Sequence, residues 1–103
     1  MSNFTGNIRR FNTRSFGIEL LNAMISRNMS NTELANKMGY VRSVICSYVN
    51  GERAISITKF AEFVVALDLS DDEILKMVHA VVKDFRTSDR GRQILNGGNN
   101  NGR

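Results

Sequence analysis

The chain has 103 residues, of which 42% are hydrophobic, and its net charge is +4. This length gives room for one domain, which would leave much of its surface in water and would gain stability from a second subunit. The longest apolar run, residues 63–67, is far too short to cross a bilayer, and no basic segment followed by an apolar one indicates a signal peptide. The chain has a single cysteine, which excludes an internal disulfide and favours a reducing compartment. It has no proline, which favours helical structure. We therefore expect an all-α protein of the cytoplasm with no membrane partner.

The positive charge is concentrated at the two ends of the chain. Residues 1–14 hold three arginines and no acid, and residues 86–103 hold four arginines and one aspartate. Between them, residues 15–59 hold five bases and three acids, whereas residues 60–85 hold two bases and six acids. A polyanion would be attracted to one side of such a molecule, which favours a nucleic-acid partner. A solvated mixed surface with two basic tails is the alternative interpretation.

The first predicted elements follow a flexible basic arm, residues 1–14. The spacing of apolar residues predicts a helix over residues 16–27. The apolar positions Ile18, Leu21 and Ile25 recur at helical spacing, with Leu20 and Met24 beside them. The segment Ser30-Asn31-Thr32-Glu33 has the pattern of a capping box, which predicts a second helix from Asn31 to Met38. Gly39 ends that helix.

The next segment, residues 41–49, is ambiguous because its β-branched residues favour a strand on propensity alone. Ser56 then caps a helix over residues 57–67. That helix is expected to bury Phe60, Ala61, Val64 and Leu67. A second capping box, residues 70–73, begins a helix over residues 71–85. Its apolar stripe comprises Ile74, Leu75, Val78, Val81, Val82 and Phe85. Residues 88–103 are rich in glycine and asparagine and predict a largely disordered basic tail, with a short helix over residues 88–95 as the alternative.

Residues 31–50 read NTELANKMGYVRSVICSYVN, and this segment resembles the twenty-residue helix-turn-helix of the lambda-repressor and Cro (XRE-type) family. Ala35 is small where the second helix of the motif would cross, and Gly39 lies where a positive φ is needed. The apolar contacts between the two helices would come from Leu34, Met38, Tyr40, Ile45 and Tyr48. The resemblance continues without a gap from about residue 20 to residue 75. It implies a helix over residues 41–49 and a five-helix, lambda-repressor-like DNA-binding domain over residues 15–87.

The same resemblance implies which residues contact double-stranded DNA. Helix 41–49 would lie in the major groove, with its first half toward the bases. The base-contacting side chains would be Val41, Arg42, Ser43, Cys46 and Ser47. Arg42 is the strongest candidate, because arginine can bond guanine O6 and N7 together. Phosphate contacts would come from Asn31, Asn50 and Arg53. The positive charge of the arm, and not the resemblance, suggests that Arg9 or Arg10 enters a narrow minor groove.

The stripe on helix 71–85 has more apolar surface than a five-helix domain of this size needs. We therefore predict a two-fold homodimer that reads a palindromic operator. The interface residues would be Val78, Val81, Val82 and Phe85.

The residues for catalysis are missing from the sequence. One histidine and one cysteine cannot build a metal cluster, and no glycine-rich phosphate loop is visible. We predict a non-enzyme without cofactors that regulates transcription at the nucleoid, as a dimeric repressor of phage, plasmid or mobile-element type. The alternatives are the antitoxin of a toxin–antitoxin pair that autoregulates its operon, and an accessory factor in DNA processing.

Overall fold

The computed structural model describes the backbone of residues 12–100 and the side chains of residues 12–97. Within that range the chain forms helices and no strand, so the all-α prediction is confirmed and the strand favoured by propensity over residues 41–49 does not form. Arg9 and Arg10 lie outside the described residues. The helices are α1 (Arg14–Ser26), α2 (Asn31–Met38), α3 (Arg42–Val49), α4 (Ile57–Leu67), α5 (Asp71–Arg86) and α6 (Asp89–Asn100).

The two predicted capping boxes define where α2 and α5 begin. The Ser30 hydroxyl accepts from the Glu33 amide at 3.1 Å, and the Glu33 carboxylate accepts from the Ser30 amide at 2.8 Å. Ser70 and Glu73 form the same reciprocal pair at 3.2 and 2.9 Å. Gly39 defines where α2 ends, because its φ of +80° is a left-handed conformation that stops the helix and costs glycine little.

The five-helix count is wrong for the described residues, because α6 occupies most of the segment that we expected to be largely disordered. The Ser88 hydroxyl accepts from the Gly91 amide at 3.0 Å and so begins this sixth helix. Gly91 allows α6 to start against the end of α5, since a Cβ there would lie 1.9 Å from the Phe85 carbonyl oxygen. The composition signal failed because no proline interrupts the segment and a serine caps it.

The core lies between α1, the helix pair α2–α3, and α4 with α5. Its largest fully buried side chains are Phe16, Leu20, Met24, Leu34, Ile45, Phe63 and Met77. Ring contacts connect these layers: Phe63 meets Tyr48 edge-on at 5.3 Å between centroids and meets Phe16 at 6.2 Å. Ala61, which we expected to be buried, is exposed, and Phe63 takes its place in the core. The spacing of apolar residues in α4 fits a buried side that includes either Ala61 or Phe63, and the structure buries Phe63, which is the larger side chain.

The start of α1 is held by a carboxylate from another helix. Asp84 of α5 is buried and accepts from the amides of Ser15 and Phe16 at 3.1 and 3.0 Å. These are amides of the first turn, which have no partner within their own helix. Thr13, the residue before α1, is fully buried and donates its hydroxyl to the Arg53 carbonyl at 3.0 Å. The chain therefore enters the domain beside the loop that follows α3.

Candidate DNA-binding surface

The inner side of α3 is fixed by close packing. Ile45 is fully buried and Tyr48 is 5% exposed, and Ala35 of α2 is buried beneath the crossing of the two helices. On the other side, Gly17 of α1 approaches the end of α3 so closely that a Cβ would lie 2.3 Å from the Val49 carbonyl oxygen. These contacts fix the orientation of α3 in the domain.

The turn between α2 and α3 is tied to α4 by a polar cluster that the sequence did not reveal. The Tyr40 hydroxyl donates to the Glu62 carboxylate and accepts from the Lys59 ammonium, which also lies 4.4 Å from the centre of the Tyr40 ring. The hydrogen bond from Tyr40 lowers the pKa of Glu62, and the bond to Tyr40 raises the pKa of Lys59. A lysine and a glutamate three residues apart are common on helix surfaces, so this pair alone did not indicate a cluster. The cluster forms because the fold brings Tyr40, 19 residues earlier in the chain, beside Lys59.

The five predicted base-contacting residues lie on one side of α3, opposite Ile45 and Tyr48. Val41 is 66% exposed. Arg42 and Ser43 are exposed as well, whereas Cys46 and Ser47 are half-buried. Val41 is also the N-cap of α3 and has no side-chain oxygen to accept from the first amides. Those amides therefore have no side-chain cap, and among them the Val44 amide donates to the Val41 carbonyl at 3.1 Å.

The predicted phosphate-contacting residues border α3 on both sides, and two of them bond to it. The side-chain amide of Asn31, at the start of α2, donates to the Cys46 sulfur at 3.2 Å. In the loop after α3, Arg53 Nε donates to the Ser47 hydroxyl at 2.9 Å. The Arg53 guanidinium also lies 5.6 Å from the centre of the Tyr48 ring. Asn50 is exposed at the C-cap of α3.

The predicted dimer residues lie on α5, away from α3. Val78 and Val82 are 40% and 44% exposed, and Val81 and Phe85 are half-buried. A shallow, mostly apolar groove runs between this part of α5 and the start of α4. The groove is lined by Ile55, Ser56, Ile57, Phe60, Val78, Val81 and Val82.

Two kinds of site are not found among the described residues. They contain no group of three or more histidine, cysteine, aspartate or glutamate side chains placed to hold a metal ion. In the same part of the chain, no helix is both long and apolar enough to cross a membrane.

The helix pair α2–α3, joined by the tight turn at Gly39, buries one side in the core and exposes the other, as a DNA-binding helix-turn-helix requires. A helix-turn-helix family model matches residues 20–74, more than half of the chain. The chain belongs to this family, the XRE type that includes lambda repressor and Cro. It is thus a DNA-binding protein of the transcription-regulator kind, in a family that is generally without enzymatic activity. Among curated proteins, none matches the chain.

Proposed function

We propose that this protein is a sequence-specific repressor that binds a palindromic operator as a homodimer, in the manner of phage, plasmid or mobile-element repressors. The observation that carries the proposal is the exposed side of α3, where Val41, Arg42 and Ser43 stand clear of the core. The matched family supports DNA as the partner. The likeness of residues 31–50 to the motif of lambda repressor and Cro supports repression as the mode of action.

The first turn of α3 would enter the major groove, with Arg42 as the main base contact. An exposed guanidinium at a helix start can reach guanine O6 and N7 together, whereas Ser43 and the Val41 methyls offer smaller contacts. The uncapped amides at the start of α3 suit a nearby phosphate, because the helix dipole favours negative charge there. Asn31, Asn50 and Arg53 would hold the sugar-phosphate backbone on either side.

The groove between α4 and α5 supports the proposed dimer. Its exposed valines, Val78 and Val82, and the neighbouring Ile57, which is 81% exposed, form an apolar surface outside the core. A two-fold contact would place the same patch of each subunit against its partner and remove these side chains from water. It would also hold two α3 helices in a fixed relation, as a palindromic site requires.

The dimer is tested by sedimentation equilibrium of the full chain and two charge variants. Val82→Glu should shift the protein toward monomer, because a carboxylate buried in an apolar interface loses its hydration. Val65→Glu is the matched control, since Val65 is 78% exposed on α4 and does not line the groove. A wild-type monomer, both free and on operator DNA, would disprove the dimer.

Repression is tested by transcription in vitro from a promoter that overlaps the preferred binding site. The wild-type protein should reduce transcript in proportion to site occupancy, and Arg42→Ala should not at the same concentration. Stimulation of transcription by the bound wild-type protein would contradict the proposed mode of action.

A further inference from the structure

We propose that Cys46 and Ser47 do not read bases but position the two phosphate-contacting side chains that border α3, Asn31 and Arg53. Base reading is then confined to the first turn of α3, residues 41–43. This inference rests on the proposed function and revises the roles that the family resemblance implies for residues 46 and 47.

The hydrogen bonds of Ser47 leave it little capacity for a base. Its hydroxyl donates to the Val44 carbonyl at 2.7 Å and accepts from Arg53 Nε at 2.9 Å. A hydroxyl has one proton and two lone pairs, so a single lone pair remains. That lone pair could accept only from an amino group, adenine N6 or cytosine N4, whereas guanine N7 and O6, adenine N7 and thymine O4 are all acceptors. Ser47 would therefore have to give up an existing bond to contact any of these acceptors.

Arg53 is held in place by three contacts, of which Ser47 supplies one. The guanidinium lies over the Tyr48 ring, and that ring is itself buried against Phe63. The main chain of Arg53 is held by the buried hydroxyl of Thr13. Only Nε of the guanidinium is bonded to Ser47, and the side chain is exposed. The two terminal amines can therefore face a phosphate while the planar group is kept from rotating.

Cys46 does the same for Asn31 on the other side of α3. The Asn31 side-chain nitrogen uses one of its two hydrogens to donate to the Cys46 sulfur, at 3.2 Å between nitrogen and sulfur. The amide has a second hydrogen and an oxygen, so it can still donate to a phosphate. Residues 46 and 47 are consecutive, and each connects α3 to a different flanking segment. The arrangement fixes two phosphate contacts relative to the base-reading turn.

The first test compares Ser47 and Arg53 variants in random-site selection and in affinity measurements over a salt series. Ser47→Ala should weaken binding to every sequence about three- to tenfold and leave the preferred site unchanged. Arg53→Ala should weaken binding further and reduce the salt slope by about 0.9 for each phosphate that is no longer neutralised. In the double variant, Ser47→Ala should add almost nothing, because the group that it positions is gone. Ser47→Thr keeps the hydroxyl and should restore most of the affinity.

The second test uses Cys46. Cys46→Ser keeps an acceptor for Asn31 and should bind like the wild type, whereas Cys46→Ala should weaken binding about two- to threefold on all sequences. That effect should disappear when Asn31 is already alanine. Thermal unfolding of every variant separates these effects from loss of the fold.

A changed base preference in Ser47→Ala or Cys46→Ala, or losses of affinity that add to those of Arg53→Ala and Asn31→Ala, would overturn the inference. Arg42→Ala serves as the positive control for a changed preference. A wild-type protein that selects no sequence would instead refute the proposed function, so the two failures are distinguishable.

Discussion

Arg42 is the residue at which a single substitution should alter specificity most. It is exposed in the first turn of α3, beside a helix start that has no side-chain cap. We expect Arg42→Ala to cost about 1–3 kcal/mol on the preferred site and to relax the preference at one base pair in each half-site. Affinity for unrelated DNA should fall much less, as measured by fluorescence anisotropy on both kinds of duplex.

Arg42→Lys is the companion variant, because it keeps the charge but not the two-pronged hydrogen bond. It should retain affinity for unrelated DNA and still lose discrimination at the same base pair. Equal weakening by Arg42→Ala on all sequences would mean that the residue contacts phosphate and that the base assignment is wrong.

Glu73 makes the stability of the domain depend on pH. Its carboxylate accepts from both terminal amines of Arg27, at 2.6 and 2.8 Å, and also caps α5 through the Ser70 amide. The bonds from Arg27 are the main cause that lowers the pKa of Glu73 from 4.5 to about 2. Because the folded-state pKa is depressed, this contribution to stability is complete above about pH 4.5 and disappears as the pH falls toward 2.

Glu73→Gln should therefore lower the free energy of unfolding by about 1 kcal/mol at pH 7, a modest value because both side chains are partly exposed. The difference from the wild type should shrink between about pH 5 and pH 2 in urea titrations. Glu33→Gln is the matched control, since Glu33 has the same capping role in α2 and no ion pair among the described residues. A Glu73→Gln deficit that stays constant with pH would contradict this role.

At this scale the family resemblance, and not propensity, indicated which residues share the outer side of α3, because it placed a helix over residues 41–49 where propensity favoured a strand. It did not predict that Arg53 bonds Ser47 or that Asn31 bonds Cys46. Those pairs form across a loop and across a turn, so they depend on distances that spacing along the chain does not contain.

Among the elements, α1 is the helix whose buried side could not be predicted from the spacing of its apolar residues. Its predicted apolar positions fall on two sides of the helix. Leu20 and Met24 are buried, whereas Ile18 and Ile25 are 52% and 65% exposed and Leu21 is 39% exposed. Both sides fit a helical period, so the choice depends on tertiary contacts. Phe16 and Gly17 make those contacts, against Phe63 and against the end of α3.

Gly17→Ala tests whether the contact between α1 and α3 fixes the DNA-binding helix. The added Cβ would lie 2.3 Å from the Val49 carbonyl oxygen and 2.9 Å from that of Tyr48, so backbone would have to move. We expect the free energy of unfolding to fall by about 1–3 kcal/mol and binding to the preferred site to weaken. Urea denaturation measures the free energy of unfolding, and fluorescence anisotropy on the same preparation measures the binding affinity.

Gly97→Ala is the control for the general effect of alanine in a helix. A Cβ at Gly97 of α6 would meet no atom within 4 Å, so stability should be unchanged or slightly higher. If Gly17→Ala behaved like Gly97→Ala, the close approach of α1 to α3 would not constrain the domain.

The sequence predicted α2 through α5 closely because capping residues mark the starts of three of them and Gly39 marks a turn. It underestimated α6, where glycine and asparagine argue against a helix by composition. The decisive features were a serine at the start of the helix and a glycine small enough to pack against the end of α5. Neither is visible in a composition average.

In the whole molecule, positive charge at the ends should supply attraction that does not depend on sequence. Residues 15–85 hold seven bases and nine acids, so the net charge of this body is slightly negative. Arg90 and Arg92 of α6 are exposed. Replacing both by glutamine should reduce the salt slope of DNA binding by up to about 0.9 for each phosphate that these arginines neutralise, and should leave the preferred sequence unchanged.

The matched control neutralises two bases in the acidic half, Lys76→Gln with Lys83→Gln. Both lysines are exposed on α5, and their replacement changes the net charge by the same amount. An equal drop in slope for the two double variants would mean that net charge alone matters. An unchanged slope for the α6 variant would contradict a role of this helix in DNA binding.

Selection of bound sites from random double-stranded DNA tests the central claim most directly, because it reports specificity and symmetry together. The wild-type protein should enrich a site with dyad symmetry, whose half-sites are centred about 10 base pairs apart or a multiple of one helical turn. Arg42→Ala should enrich the same site with one position relaxed in each half. No enriched sequence for the wild type would contradict specific DNA binding through α3, and an enriched site without dyad symmetry would contradict the dimer.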